Sequence, residues 1–183
     1  MILSDRDIRK AIKEGKIIID PITEDNIGPC SVDLTLSDKF LIFKGSNTID
    51  PKDPKSLQNN IKVIDTKGQP LIIQPKQFIL AMTREKIGIS KDLAATLEGR
   101  SSIARLGIIV HAAGLVSPGS GMINPKPLVL EVFCENTAPI KLYPGMRIVQ
   151  IIFHKLTSIA TVGYDERKTS VFSRRNNWIS FSL

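Results

Sequence analysis

Apolar positions along this chain fall into one helical pattern followed by many short strand-like runs. Over residues 4–15, Ile8, Ala11 and Ile12 recur at helical spacing behind Ser4, a suitable N-cap, and the segment stops at Gly15. One N-terminal helix is predicted there. The texture then changes to "KIIID", "SVDLTL", "KFLIF", "IKVI", "PLIIQP", "FILAMT", "AATLEG", "GIIVHAAG", "LVLEVF", "IKLY", "RIVQIIF" and "IATVGY", with Pro21, Pro75, Pro118, Pro144 and Gly145 among the breaks. Runs this short and this closely spaced predict an all-β sandwich or barrel. Residues 44–60, "KGSNTIDPKDPKSLQNN", hold little apolar material and predict a long solvent-facing loop. With no internal repeat and no linker, residues 1–183 read as a single domain.

Composition narrows the function classes. The 183 residues suffice for one domain with a core, and 42% hydrophobic with 23% charged residues excludes disorder. No run approaches the roughly 18–20 apolar residues of a membrane span, and "MILSDRDIRKAIKEGK" is too charged for a secretory signal. A cytoplasmic protein without a membrane partner is expected. Cys30 and Cys134 have no second ligand at metal spacing, so two buried free thiols are expected rather than a disulfide or a zinc site. The net charge of +7 is spread along the chain and aromatics are only 5%. That spread speaks against a nucleic-acid partner and leaves solubility or a polyphosphate ligand.

Candidate chemistry gathers in three stretches. "GRSSIARLG" (99–107) offers the hydroxyls of Ser101 and Ser102 and the guanidinium forks of Arg100 and Arg105. A helical turn opening at either serine makes a phosphate site one reading and a capped surface helix the other. "HAAGLVSPG" (111–119) has small residues and a Pro-Gly turn that let a backbone approach a ligand. In "LVLEVF", Glu131 interrupts an apolar run, so it is either turned out to solvent or set in a pocket. In a pocket, burial would raise its pKa and an arginine would lower it, which is how a general base is tuned.

Six segments, in order, resemble the dCTP deaminase branch of the trimeric dUTPase-like superfamily. They are "MILSDRDIRKAI", "GPCSVDLTL", "LEGRSSIARLGIIVH", "LVLEV", "LYPGMRIVQIIF" and "VGYDERKTS". The resemblance implies a mainly β, dUTPase-like distorted barrel with an N-terminal helix and few short helices, assembled as a homotrimer with active sites at subunit interfaces. It implies zinc-independent deamination of dCTP to dUTP and ammonia. Glu131 would activate the water, Arg105 would hold that carboxylate, and Ser101 with the carbonyl of Ala113 would position the water and the amine. Arg100 and Ser102 match positions near the triphosphate, Ser117 one near the sugar, and Gln150 one that contacts the nucleotide. Tyr164 and Lys168 fall in a C-terminal closing segment, 164–183. Mg2+ would ride on the triphosphate, with no metal held by protein ligands, so His111 and His154 are expected to be structural.

The sequence departs from that pattern in three places. Ser117 stands where the superfamily usually has Asp before Pro-Gly, "SGMINPKP" is longer than the usual link and lacks its aromatic, and the tail "SVFSRRNNWISFSL" lacks the usual ending. Arg174 or Arg175 could replace lost phosphate contacts. Three readings follow: a deaminase releasing dUTP, a bifunctional enzyme continuing to dUMP and pyrophosphate, and a nucleotide-binding homologue without turnover. Gly114 and Leu115 favour the second, and the set Glu131, Arg105 and Ser101 argues against the third.

Overall fold

The computed structural model describes residues 1–45, 47–50, 52–111 and 113–167. Helix α1 (Asp5–Lys13) starts where the capping pattern predicts: the Ser4 hydroxyl accepts from the Asp7 N–H, acidic residues occupy the first turn and lysines the last. Its Ile8 and Ala11 are buried, and Gly15 leaves the helix at φ +70°.

Among the described residues eleven strands follow: β1 (Ile17–Asp20), β2 (Val32–Phe43), β3 (Ile61–Asp65), β4 (Leu71–Ile73), β5 (Phe78–Ile89), β6 (Leu93–Gly99), β7 (Ile108–His111), β8 (Leu115–Val116), β9 (Lys126–Cys134), β10 (Ile140–Leu142) and β11 (Arg147–Lys155). Nine belong to one sheet, whose main path runs β7-β9-β5-β2-β11-β6-β8, with β1 added to β5 and β3 to β2; β4 and β10 form a separate pair. The expected mainly β barrel is what the chain builds. Its ends are tied covalently, because the four peptide steps from His111 at the end of β7 to Leu115 at the start of β8 span at most about 14 Å. The sheet must therefore curl, and residues of β6 and β7 do come within 8 Å of one another.

Period-two alternation decides what the curled sheet encloses. Val32, Leu34 and Leu36 of β2, Leu130, Val132 and Cys134 of β9, and Val149, Ile151 and Phe153 of β11 join one buried cluster. Their neighbours Asp33, Thr35, Glu131 and Gln150 alternate with them and take the other face.

The structure revises four expectations. The runs "SVDLTL" and "KFLIF" are one long strand, since β2 shifts register against β5 between Leu36 and Phe40 rather than turning. The segment 44–60 contains helix α2 (Pro54–Asn60), capped by the Asp53 side chain on the Lys55 N–H and burying Leu57. "IATVGY" is no strand: its Ala160 and Tyr164 N–H groups go to the carbonyls of Lys91 and Pro118, and Ile159 and Val162 stay exposed. Cys134 is buried as expected, but Cys30 is exposed.

The bends in the sheet are held by a buried polar tie. Glu85 of β5 is 2% exposed, and its two oxygens accept from the Thr35 N–H (2.9 Å) and the Thr35 hydroxyl (2.5 Å) of β2. Two residues away, the Thr83 hydroxyl donates to the Glu85 carbonyl and accepts from the Leu128 N–H of β9. Both β2 and β9 shift register against β5 here, between Leu36 and Phe40 and between Met82 and Lys86. Groups stripped of ladder partners are thus satisfied by side chains. Replacing Glu85 by Ala strands the Thr35 donors, and a destabilisation of about 2–4 kcal/mol is expected in urea unfolding at matched protein concentration.

Candidate functional site

Glu131 sits on β9 between two partners, opposite Leu80 of β5 and opposite His111 of β7. Its alternation with Leu130 and Val132 turns it away from the main core, toward the face that also carries Leu80 and Leu41. Neither of the two orientations considered from sequence is met in pure form. The side chain leaves the barrel core, yet its Oε2 is buried. A carboxyl beside apolar neighbours has a weakened hydration shell, the environment a proton-transferring group needs.

The short crossing from β7 to β8 starts at His111, opposite Glu131. Ala113 is exposed, and the carbonyl of Gly114 accepts from the Leu97 N–H, fixing the crossing to β6. Ser117 begins a tight turn in which its carbonyl accepts from Ser120 at 3.1 Å across Pro118 and Gly119, the latter at φ +77°. That is a type II turn, whose third position favours glycine. Ala113 thus lies two residues from His111, the β7 partner of Glu131, whereas the Ser117 turn is tied through Ser120 to Ile89, nine residues along β5 from Leu80, the other partner of Glu131.

The hydroxyl and guanidinium residues are placed elsewhere on the same chain. Helix α3 (Ser101–Ala104) buries Ile103 and exposes Ser101, Ser102 and Arg105. After it, Gly107 packs against Asn136, whose side chain donates to the Leu106 carbonyl, and Glu135 N–H is bonded to Gly107. This anchors α3 at the Glu135 end of β9, about 13 Å along the strand from Glu131. Among the described residues Arg105 forms no ion pair. The expected contact between Arg105 and Glu131 is therefore not made within one chain.

Arg100 and Gln150 lie in a polar row on the outer face of β2, β11 and β6, where Asp33, Gln150 and Glu98 are in register. Arg100 Nε is 3.0 Å from Asp33 Oδ1, and its Nη1 donates to the Arg147 carbonyl. Arg147 approaches the other Asp33 oxygen at 3.6 Å, while Gln150 accepts from the Ser31 hydroxyl at 3.0 Å. The sequence reading passed over Asp33 and Arg147. Asp33 was legible from its outward place in "SVDLTL", whereas the role of Arg147 needed the β2–β11 register. A fork held on one side by Asp33 keeps further N–H groups for an oxyanion.

Tyr164 opens a 3-10 turn, Tyr164–Glu166, and its N–H donates to the Pro118 carbonyl at 2.8 Å. Lys168, Arg174 and Arg175 lie outside the described residues. His154 pairs with the Thr96 hydroxyl at 3.0 Å, in keeping with a structural role. Among the described residues no group of three or more His, Cys, Asp or Glu is arranged to hold a metal ion.

Nine strands curled into one sheet, with one N-terminal helix and few short helices, make a mainly β, dUTPase-like barrel. The family model described as dCTP deaminase-like matches residues 2–156, and the chain belongs to that family. It is 46% identical over 180 residues, 94% of this chain and 89% of the relative, to the dUMP-forming dCTP deaminase of Dictyoglomus thermophilum. A protein of Thermomicrobium roseum named dCTP deaminase is 41% identical over 179 residues, with the same coverage. The crystal structure of the dCTP deaminase of Agrobacterium tumefaciens shares the fold at a TM-score of 0.65 and 24% identity, over 85% of this chain and 48% of that one.

The turn after Gly163 carries a measurable charge effect. The Glu166 carboxyl accepts from the Gly163 N–H at 2.8 Å and faces Lys91, and the amide first, then the lysine, holds its pKa below the usual range. A depressed carboxyl stabilises the folded turn above its unfolded pKa and loses that contribution as pH falls through the folded one. The Gly163 amide resonance should therefore titrate with a midpoint below that of an ordinary glutamate, and Glu166→Gln should abolish that titration.

Proposed function

We propose that this protein deaminates dCTP and carries the product on to dUMP and pyrophosphate. The observation that carries this reading is the 46% identity, over 94% of the chain, to a dUMP-forming dCTP deaminase, in a chain that keeps Glu131, Arg105 and Ser101. Glu131 takes a proton from water, the resulting hydroxide adds to C4 of cytosine, and the same carboxyl returns the proton to the amino nitrogen as ammonia leaves. Ser101 and the Ala113 carbonyl hold the water and the amine in line. Arg105 holds the Glu131 carboxylate in place.

The roughly 13 Å between α3 and Glu131 along β9 supports a site shared between copies, with Arg105 and Ser101 of one subunit meeting Glu131 of another in a homotrimer. Burial of that face on assembly would remove the remaining water from the carboxyl and strengthen its pairing with Arg105. Arg100 and Ser102 serve the triphosphate, Gln150 contacts the nucleotide, Ser117 faces the sugar, and Tyr164 and Lys168 close the site. Mg2+ enters with the triphosphate and screens its charge; the protein supplies the guanidinium groups around it.

The second reading, a deaminase that stops at dUTP, is favoured by Ser117 in place of an acidic residue and matches the name of the Thermomicrobium roseum relative. Incubation with dCTP and, separately, dUTP, with ammonia, pyrophosphate and nucleotides followed by chromatography, separates the two. Pyrophosphate and dUMP from both substrates are expected, and accumulation of dUTP would establish the second reading. Failure to convert either nucleotide would refute both.

Glu131→Gln should lower deamination about a thousandfold while dCTP binding persists. Arg105→Ala should lose activity without losing the trimer. Equal mixing of these two variants after subunit exchange should restore activity to about a quarter of wild type, because random assembly pairs one intact Glu131 with one intact Arg105 at that frequency. No recovery on mixing would place both residues in one chain's site.

A further inference from the structure

The link from Ser117 to β9 is long, glycine-rich and free of regular structure, yet it is held at defined points. Ser120 accepts from the Ile89 N–H, and Gly121 packs so closely on β5 that a Cβ there would sit 2.0 Å from the Ile87 carbonyl oxygen. Gly119 lies against Gly163, where a Cβ would be 2.6 Å from its Cα. The decisive contact comes from a residue more than forty positions later. Asp165 is half-buried, and its Oδ1 accepts from the Gly121 N–H and its Oδ2 from the Ile123 N–H, both at 3.1 Å.

We propose that Asp165 is a positioning residue for the nucleotide pocket, clamping the 117–125 link so that Ser117 and the Glu131 strand keep their mutual placement. The inference rests on the dCTP-deaminating reading. One carboxyl bonded to two amides two residues apart admits a narrow range of backbone conformations between them. This resembles a bidentate fork, with the charge on the acceptor. The clamp takes the place of side-chain packing in a link that lacks an aromatic after Pro118-Gly119. Downstream, the Leu128 N–H bonds the Thr83 hydroxyl and β9 pairs with β5 and β7. The ladder holds Glu131 without help from Asp165, so the clamp governs how the nucleotide is seated more than how the proton moves.

The test compares wild type with Asp165→Asn, which keeps one acceptor and turns an NH2 toward the other amide, and with Asp165→Glu, which keeps both acceptors one methylene farther out. Three quantities are read: amide hydrogen exchange at Gly121 and Ile123, dCTP affinity by calorimetry, and kcat for deamination. Expected for Asp165→Asn are about tenfold faster exchange at both amides, about tenfold weaker dCTP binding, and kcat within about threefold of wild type. Asp165→Glu should recover part of both losses. Faster exchange with unchanged dCTP affinity would overturn the proposal by making the clamp purely structural, and unchanged exchange would overturn it by showing no clamp. If Asp165→Asn fails to fold, the decision passes to Asp165→Glu, where wild-type affinity with slowed turnover would also overturn it. Binding is read separately from turnover, so absence of deamination in the wild type would count against the deaminase reading and not against the clamp.

Discussion

The chain has four peptide steps in which to pass from one end of its main sheet path to the other. His111 closes β7, Leu115 opens β8, and five strands lie between them in the hydrogen-bonded order. A flat sheet of that width cannot be spanned so cheaply, so the path curls until its edges approach. Curling encloses the apolar faces of β2, β9 and β11 and turns their polar faces outward. It also brings His111, two residues before Ala113, opposite Glu131. Core and site are two results of one geometric condition.

A sheet that curls this tightly must break its ladder somewhere, and it does so around β5. Register shifts against both β2 and β9 leave backbone donors unpaired by strands, and Glu85 and Thr83 take them. Asp165 performs a similar service for the link, accepting two amides that no strand could reach. In each case a side chain from a distant part of the sequence replaces a missing ladder bond.

Placing Glu131, the carboxyl proposed to transfer protons, on the outer face has an energetic logic. Inside the main core it would be desolvated without relief, and on an open surface it would be an ordinary acid. On β9 it is half-buried, opposite Leu80. The separation of Glu131 from α3 along β9 assigns the covering of that face to a neighbouring copy in the proposed mechanism, with Arg105 as the compensating charge.

Much of this was legible from residue order. The capping pattern at Ser4 and the period-two runs located α1 and most strands, because both signals are local. The serine-arginine stretch and the lone Glu131 in "LVLEVF" marked the candidate chemistry, because a charge in an apolar run must have a reason. Other features depended on contacts between remote segments. "IATVGY" has the composition of a strand but finds its partners in Lys91 and Pro118, outside any ladder. The residues of α2 were too polar to signal burial, and only their neighbours give Leu57 a place to pack. Asp33, Arg147 and Asp165 acquire their roles from register and docking, which no window of sequence contains. The facing of Glu131 was of the same kind: alternation gave it a side of the strand, and only the curl of the sheet decided what that side meets.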